Sequence, residues 1–223
     1  MRKGLLIDWG GVLTSDVFAS FAGFCAREGL PADRVATLLR TEAHPLLAGL
    51  ELGTLPVNTF ETRFAVLLGV PAAGLVPRLM ADLRPDPAMR AAVRRARALG
   101  VRTGLVSNSW GPDGYTDLAA LFDGVVLSGT VGVRKPDPAI YELGAAAIGL
   151  TPAECVFVDD LAGNLRPARA LGMATVHHSD AADTIRALDT LLDLDLSGRD
   201  RAGTDLASLD PGSPDEPLPR QPP

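Results

Sequence analysis

Five short apolar runs, each closed by a polar residue, are the feature of this chain that most limits how it can fold. Leu5-Leu6-Ile7 ends at Asp8, the run over 101–106 at Ser107, Val125-Val126-Leu127 at Ser128, the run over 155–158 at Asp159, and Ala174-Thr175-Val176 at His177. Brief runs of this kind are the pattern of strands buried on both faces of a parallel sheet. Helical patterns lie between them. Asp86 and Pro87 open one that stops at Gly100, and Asp137 and Pro138 open another that stops at Gly149. Both place Asp at the N-cap, Pro at the first helical position and Gly past the end. Strand–helix alternation of this sort predicts an α/β fold with a doubly wound parallel sheet.

One stretch breaks the rhythm. Residues 15–83 read as several helices with no convincing strand, with Phe18, Phe21 and Phe24 on one face and Phe60, Phe64 and Leu67 on another. The stretch is too long for a simple crossover, so it reads as a small inserted helical cap. Residues 1–14 and 84–196 would then form the α/β core. The proline-rich residues 197–223 read as a disordered tail.

Composition narrows the partners. With 47% apolar residues a sizeable core is available, and the net charge of −6 argues against nucleic acid and against an anionic membrane surface. Arg94, Arg95 and Arg97 sit together, but on an amphipathic helical pattern whose solvated face accounts for them. Cys25 and Cys155 lie far apart in apolar surroundings and read as buried thiols of a reducing cytosol. The first apolar run is too short for a signal peptide and carries Asp8, and no run of about 18 apolar residues suggests a membrane span. The expected location is cytoplasmic; the oligomeric state is open at this level.

In open α/β sheets, ligands bind beyond the carboxyl ends of the strands. Those ends present Asp8, Ser107 and the pair Asp159-Asp160, and a loop adds Lys135, one of only two lysines in the chain. Singly, each has an ordinary reading as a turn, a helix cap or a solvated loop residue. Together, three carboxylates, a hydroxyl and a scarce lysine at converging strand ends suit phosphoryl chemistry. Carboxylates are hard oxygen ligands for Mg²⁺. A carboxylate can also attack phosphorus and split hydrolysis into two easier steps, while lysine and hydroxyl hold non-bridging oxygens.

The run from Ile7-Asp8-Trp9-Gly10-Gly11-Val12 resembles the first motif of the haloacid dehalogenase-like superfamily. Leu105-Val106-Ser107-Asn108 resembles the second motif. Arg134-Lys135-Pro136-Asp137-Pro138 resembles the third. Val156-Phe157-Val158-Asp159-Asp160, followed by Gly163-Asn164, resembles the fourth. The resemblance implies a Mg²⁺-dependent hydrolase, most plainly a phosphatase of a small phosphorylated metabolite. Asp8 would be nucleophile and metal ligand, and Gly10 would lend its carbonyl to the metal. Asp160 would be the second carboxylate ligand, supported by Asp159. Ser107 and Asn108 would bind the phosphoryl group, Lys135 would neutralise its charge, and Asn164 would bind near it and orient the last loop. The helical cap would select substrate and gate water.

One departure stands out. Phosphatases of this superfamily usually carry a second Asp two residues after the nucleophile, as general acid; here that position is Gly10. The change disfavours a mutase. Retention of both Asp159 and Asp160 disfavours a dehalogenase, and a cap without lysine disfavours the phosphonatase branch. The pattern is similar to a subgroup that includes sugar 1-phosphatases and the N-terminal domain of some epoxide hydrolases. An activated, sugar phosphate-like ester is therefore the expected substrate, and a non-catalytic phosphate- or metal-binding module is the alternative. His44 in the cap is a conceivable substitute acid. His177-His178 reads as a loop pair, and Trp110 and Tyr115 either line the pocket or pack beneath the cap.

Overall fold

The computed structural model describes residues 2–110 and 114–196. Strands β1 (Gly4–Ile7), β2 (Arg102–Ser107), β3 (Gly124–Leu127), β4 (Cys155–Asp159) and β5 (Ala174–His177) form one sheet in the order β3-β2-β1-β4-β5. Every pairing is parallel, with Leu6 opposite Gly104 on one side and Phe157 on the other.

Helices α1 (Val17–Arg27), α2 (Arg34–Arg40), α3 (His44–Glu51), α4 (Val57–Leu68) and α5 (Leu75–Leu79) follow β1. Helix α6 (Pro87–Ala98) leads into β2, and α7 (Leu118–Leu121) into β3. Next come α8 (Ser128–Val131) and α9 (Pro138–Ala147) before β4, then α10 (Ala162–Ala170) and α11 (Ala181–Leu192) around β5. The side-chain period of 2 divides the sheet into two cores. Leu5, Ile7, Val156 and Val158 point to one face, where α6 and α11 cover them with Met89, Val93, Leu188 and Leu192. Leu6, Val106 and Phe157 point to the other, beneath Ile140, Tyr141 and Leu165 of α9 and α10. Both faces being covered explains why the strand sequences run apolar instead of alternating. Asp86 and Asp137 cap α6 and α9, accepting from Met89 N and Ala139 N.

Helices α1–α5 hold a third cluster of their own, with Phe24, Phe60, Phe64, Leu75 and Leu79 fully buried. At about 1.5–3 kcal/mol per buried large apolar side chain, such a cluster gives this segment a substantial core. The chain leaves the sheet and returns to it at one place, because Thr14 and Pro85 form an antiparallel bridge. Ser15 N donates to Arg84 O at 2.8 Å and Asp86 N to Leu13 O at 2.9 Å on either side of it. Cys25 and Cys155 are buried free thiols. Among the described residues no helix is long and apolar enough to cross a membrane. The expected tail, residues 197–223, lies outside the described residues.

Candidate active site

Because the strands are parallel, the polar residues that close them gather at one edge of the sheet. Asp8 follows β1, its backbone N–H donating to Val158 O at 3.0 Å, and its Oδ1 accepts from Trp9 N at 2.8 Å. Lys135 Nζ lies 2.8 Å from Asp8 Oδ1 and 2.7 Å from Asp159 Oδ2, with its side chain 1% exposed. Asp159 is fully buried and fully engaged: it also accepts from Leu161 N at 2.8 Å and from Asn164 Nδ2 at 2.9 and 3.1 Å. Asp160 turns toward the same point, so that carboxylate oxygens of Asp8, Asp159 and Asp160 lie within 4.8 Å of one another. Gly11 makes this crowding possible. It adopts φ of +72°, and a Cβ there would stand 2.4 Å from Asp160 Oδ2.

One ammonium faces three carboxylates, and the site's protonation reflects it. Burial pushes Asp8 up to about 7 against the pull of Lys135, and Asp159 and Asp160 add to the push. Burial and Asp159 together carry Asp160 to about 6. Burial works against the charge on Lys135, but Asp8 and Asp159 outweigh it and hold the lysine protonated.

Ser107 closes β2, its Oγ 3.1 Å from the Tyr115 hydroxyl. Asn108 clamps the loop that carries the lysine: its Oδ1 accepts from Lys135 N at 2.8 Å and its Nδ2 donates to Lys135 O at 3.1 Å. Asn164 turns its side-chain amide to Asp159 instead of the cavity, and its backbone carbonyl accepts from the buried Tyr141 hydroxyl at 2.7 Å. Gly10, Ser107 and Asn108 border a cavity, and so do Trp110 and Tyr115. Trp110 fills both roles weighed for it, since it also stacks on Phe21 at 5.7 Å and meets Phe60 edge-on at 5.8 Å.

None of the three histidines borders the cavity. His44 is exposed at the first turn of α3, while the last residue of that helix, Glu51, reaches the site. Seven rises of about 1.5 Å each put the two ends roughly 10 Å apart. His177 Nε2 lies 2.8 Å from Asp160 O, and His178 Nδ1 lies 2.9 Å from Thr184 Oγ1.

Glu51 is the buried site residue that sequence reading missed. It accepts from Asn108 Nδ2 at 3.3 Å and from Trp110 Nε1 at 3.2 Å. Arg134 Nε approaches within 2.9 Å as an ion pair, although its N–H is not aimed well enough for a hydrogen bond. Burial raises Glu51, against the pull of Arg134. Its carbonyl accepts from Ser128 Oγ. Two residues on, a Cβ on Gly53 (φ +71°) would stand 2.3 Å from Gly129 O. No periodicity or motif marks this Glu; its only sequence signal is a charge between Leu50 and Leu52.

A sequence profile of haloacid dehalogenase-like hydrolases matches residues 2–172. The chain belongs to that family. Acyl-CoA dehydrogenase family member 10 of Mus musculus is 26% identical over 204 residues, which is 85% of this chain and 19% of that protein. A sesquiterpene phosphatase of Aspergillus oryzae is 35% identical over 116 residues, 49% of this chain and 59% of that protein. The chain thus spans less than two thirds of either relative. The fold is similar to that of a HAD family enzyme of Bacteroides thetaiotaomicron, crystallised in complex with magnesium and inorganic phosphate. The TM-score is 0.63 at 22% identity, over 80% of this chain and 95% of that one.

Proposed function

We propose that the chain hydrolyses small phosphate monoesters through an aspartyl-phosphate on Asp8. The observation that carries this reading is Lys135 bridging Asp8 and Asp159, with Asp160 beside them and Ser107 and Asn108 at the neighbouring strand end. That phosphatases occur among the relatives supports it.

The donor set fits a Mg²⁺ ion. Three carboxylates cluster around one lysine, and beyond burial the mutual repulsion of Asp8, Asp159 and Asp160 raises Asp8 and Asp160, a crowding that a divalent cation would relieve. Asp8, Asp160 and the Gly10 carbonyl would hold the ion, with Asp159 supporting. When bound, it neutralises carboxylate and phosphoryl charge together.

The rest is done by the chain. An Asp8 carboxylate oxygen bonds to phosphorus as the ester P–O bond breaks, and the departing oxygen takes a proton. Water then attacks the acyl phosphate and gives a proton back to the Tyr115 oxygen, the Asp8–phosphorus bond breaks, and inorganic phosphate leaves. Lys135 and Ser107 hold the equatorial oxygens, and Asn108, its amide committed to Lys135 and Glu51, braces the loop that carries the lysine. With Gly10 in the place of an acid, Tyr115 is the proton donor: it is the only titratable side chain among the described residues bordering the cavity. Burial keeps it protonated, against the hydrogen bond to Ser107. The missing acid favours esters with good leaving groups, sugar 1-phosphates among them. Residues 15–83 act as the cap over a core of 1–14 and 84–196. A cytoplasmic setting suits the buried thiols.

The test is phosphate release from sugar phosphates, nucleotides, alkyl phosphates and p-nitrophenyl phosphate, with Mg²⁺ or EDTA, for wild type and Asp8→Asn. Metal-dependent release that Asp8→Asn abolishes is the expected result. Phosphate binding with no turnover of any ester would leave a binding module, with Gly10 as its cause.

A further inference from the structure

The cavity that begins at Gly10, Ser107 and Asn108 has a volume of about 440 Å³, room for a small organic molecule. Its far wall is built by α1, α4, α5 and the return to the sheet, and presents Val17, Val57, Val76, Pro77, Met80 and Leu83. Trp9, Trp110 and Tyr115 add aromatic surface from the core side. Among the described residues, no charged side chain borders it.

Among the described residues, the polar side chains on its lining are either bonded to the protein or gathered at the phosphate end. The Trp110 N–H is bonded to Glu51. The Asn108 amide is bonded at both ends, to Lys135 and Glu51. The Ser107 and Tyr115 hydroxyls meet each other at the phosphate end. Against the described wall a sugar would bury hydroxyls on valine, proline and methionine, which offer no partner, an unfavourable exchange for water. An alkyl, prenyl or aryl group would instead leave water for a matching surface.

We infer that the phosphate ester taken by this site carries an apolar organic group, housed between the helical segment and the sheet edge. The inference rests on the phosphatase reading for its phosphate end, and it moves the substrate away from sugars. The wall residues are the specificity determinants. Each methylene that enters is expected to strengthen binding about fourfold, until the cavity is full.

The test separates binding from turnover by using phosphonates, whose P–C bond this chemistry does not cleave. A series of n-alkylphosphonates from methyl to decyl, with geranyl- and naphthyl-phosphonate, is titrated into the full chain in Mg²⁺ by calorimetry. Affinity that climbs with chain length and exceeds that of the uncleavable phosphonate analogue of glucose-1-phosphate supports the inference. A flat series, or tighter binding of the sugar phosphonate, overturns it. Met80→Gln and Val57→Thr, near in size but polar, should flatten the climb; an unchanged slope puts the chain elsewhere and overturns the assignment of the wall. Turnover is read on the matching phosphates. A climb in affinity with no ester hydrolysed removes the phosphatase reading and leaves the apolar pocket. Turnover of p-nitrophenyl phosphate with a flat affinity series does the reverse.

Discussion

Lys135 sits out of water between two carboxylates, an arrangement that is tolerable only while all three groups stay together. Lys135→Met leaves Asp8 and Asp159 facing each other with no cation of the chain between them. We expect a loss of about 3–5 kcal/mol in urea unfolding in EDTA, the usual cost of stranding a buried charge. Mg²⁺ should restore part of that loss, and phosphate release should fall at least about 10²-fold, as when one oxyanion donor is removed. Unchanged stability in EDTA would mean that the lysine is not the counter-charge its position implies. Tyr115 offers a different readout. If its hydroxyl delivers the proton to the departing oxygen, Tyr115→Phe should slow an alkyl phosphate by roughly 10²-fold, within the range of acid catalysis. It should hardly affect p-nitrophenyl phosphate, whose leaving group needs little help. Equal losses on both esters would reduce Tyr115 to a positioning role through Ser107.

Among the elements, the sheet was the most legible, because strands covered on both faces announce themselves by composition alone. Asp8, Ser107, Asp159 and Asp160 were legible for the same reason: each is the polar stop of an apolar run. Helices α6 and α9 carry Asp–Pro starts that the structure shows as side-chain caps. Helices α2, α3 and α5 have no capping side-chain bond at Asp33, Ala43 or Gly74, so their starts are marked more weakly in sequence than those of α6 and α9. The four-residue α8 is too short to show a period. Glu51 was hidden because its partners Asn108, Trp110 and Arg134 lie far along the chain. The same cluster gives α3 its work, tying the helical segment to the loops that carry Ser107 and Lys135. Glu51→Ala would leave Arg134 and the two N–H donors without their acceptor, at about 1–3 kcal/mol for a buried polar group so exposed to loss. Limited proteolysis should then cut α1–α5 sooner than the sheet. A variant that loses stability uniformly, with no preferential cleavage there, would show that α3 does not fasten the segment.

At the scale of the whole molecule, the crowding of three carboxylates couples stability to both pH and metal. In the folded, metal-free chain Asp8 keeps its proton up to about pH 7 and Asp160 up to about pH 6. In the unfolded chain both release it near the ordinary value of 3.8. Across that window the folded state binds more protons than the unfolded state, so this pair removes stability as pH rises from about 4 to 7. A divalent ion needs the same oxygens deprotonated and therefore competes with the protons. At pH 5 it must displace them and gains little; at pH 8 it meets free carboxylates and relieves their repulsion. The difference in melting temperature between Mg²⁺ and EDTA should accordingly be small at pH 5, open up between pH 6 and 7, and level off near pH 8. Comparing the two conditions at each pH cancels every other titrating group that the ion does not touch. Asp8→Asn should shrink the difference, because it removes one of the competing carboxylates along with one ligand. A metal-induced shift that is the same at pH 5 and pH 8, or that survives Asp8→Asn intact, would place the cation away from this sheet edge. The crowding at Asp8, Asp159 and Asp160 would then need another explanation.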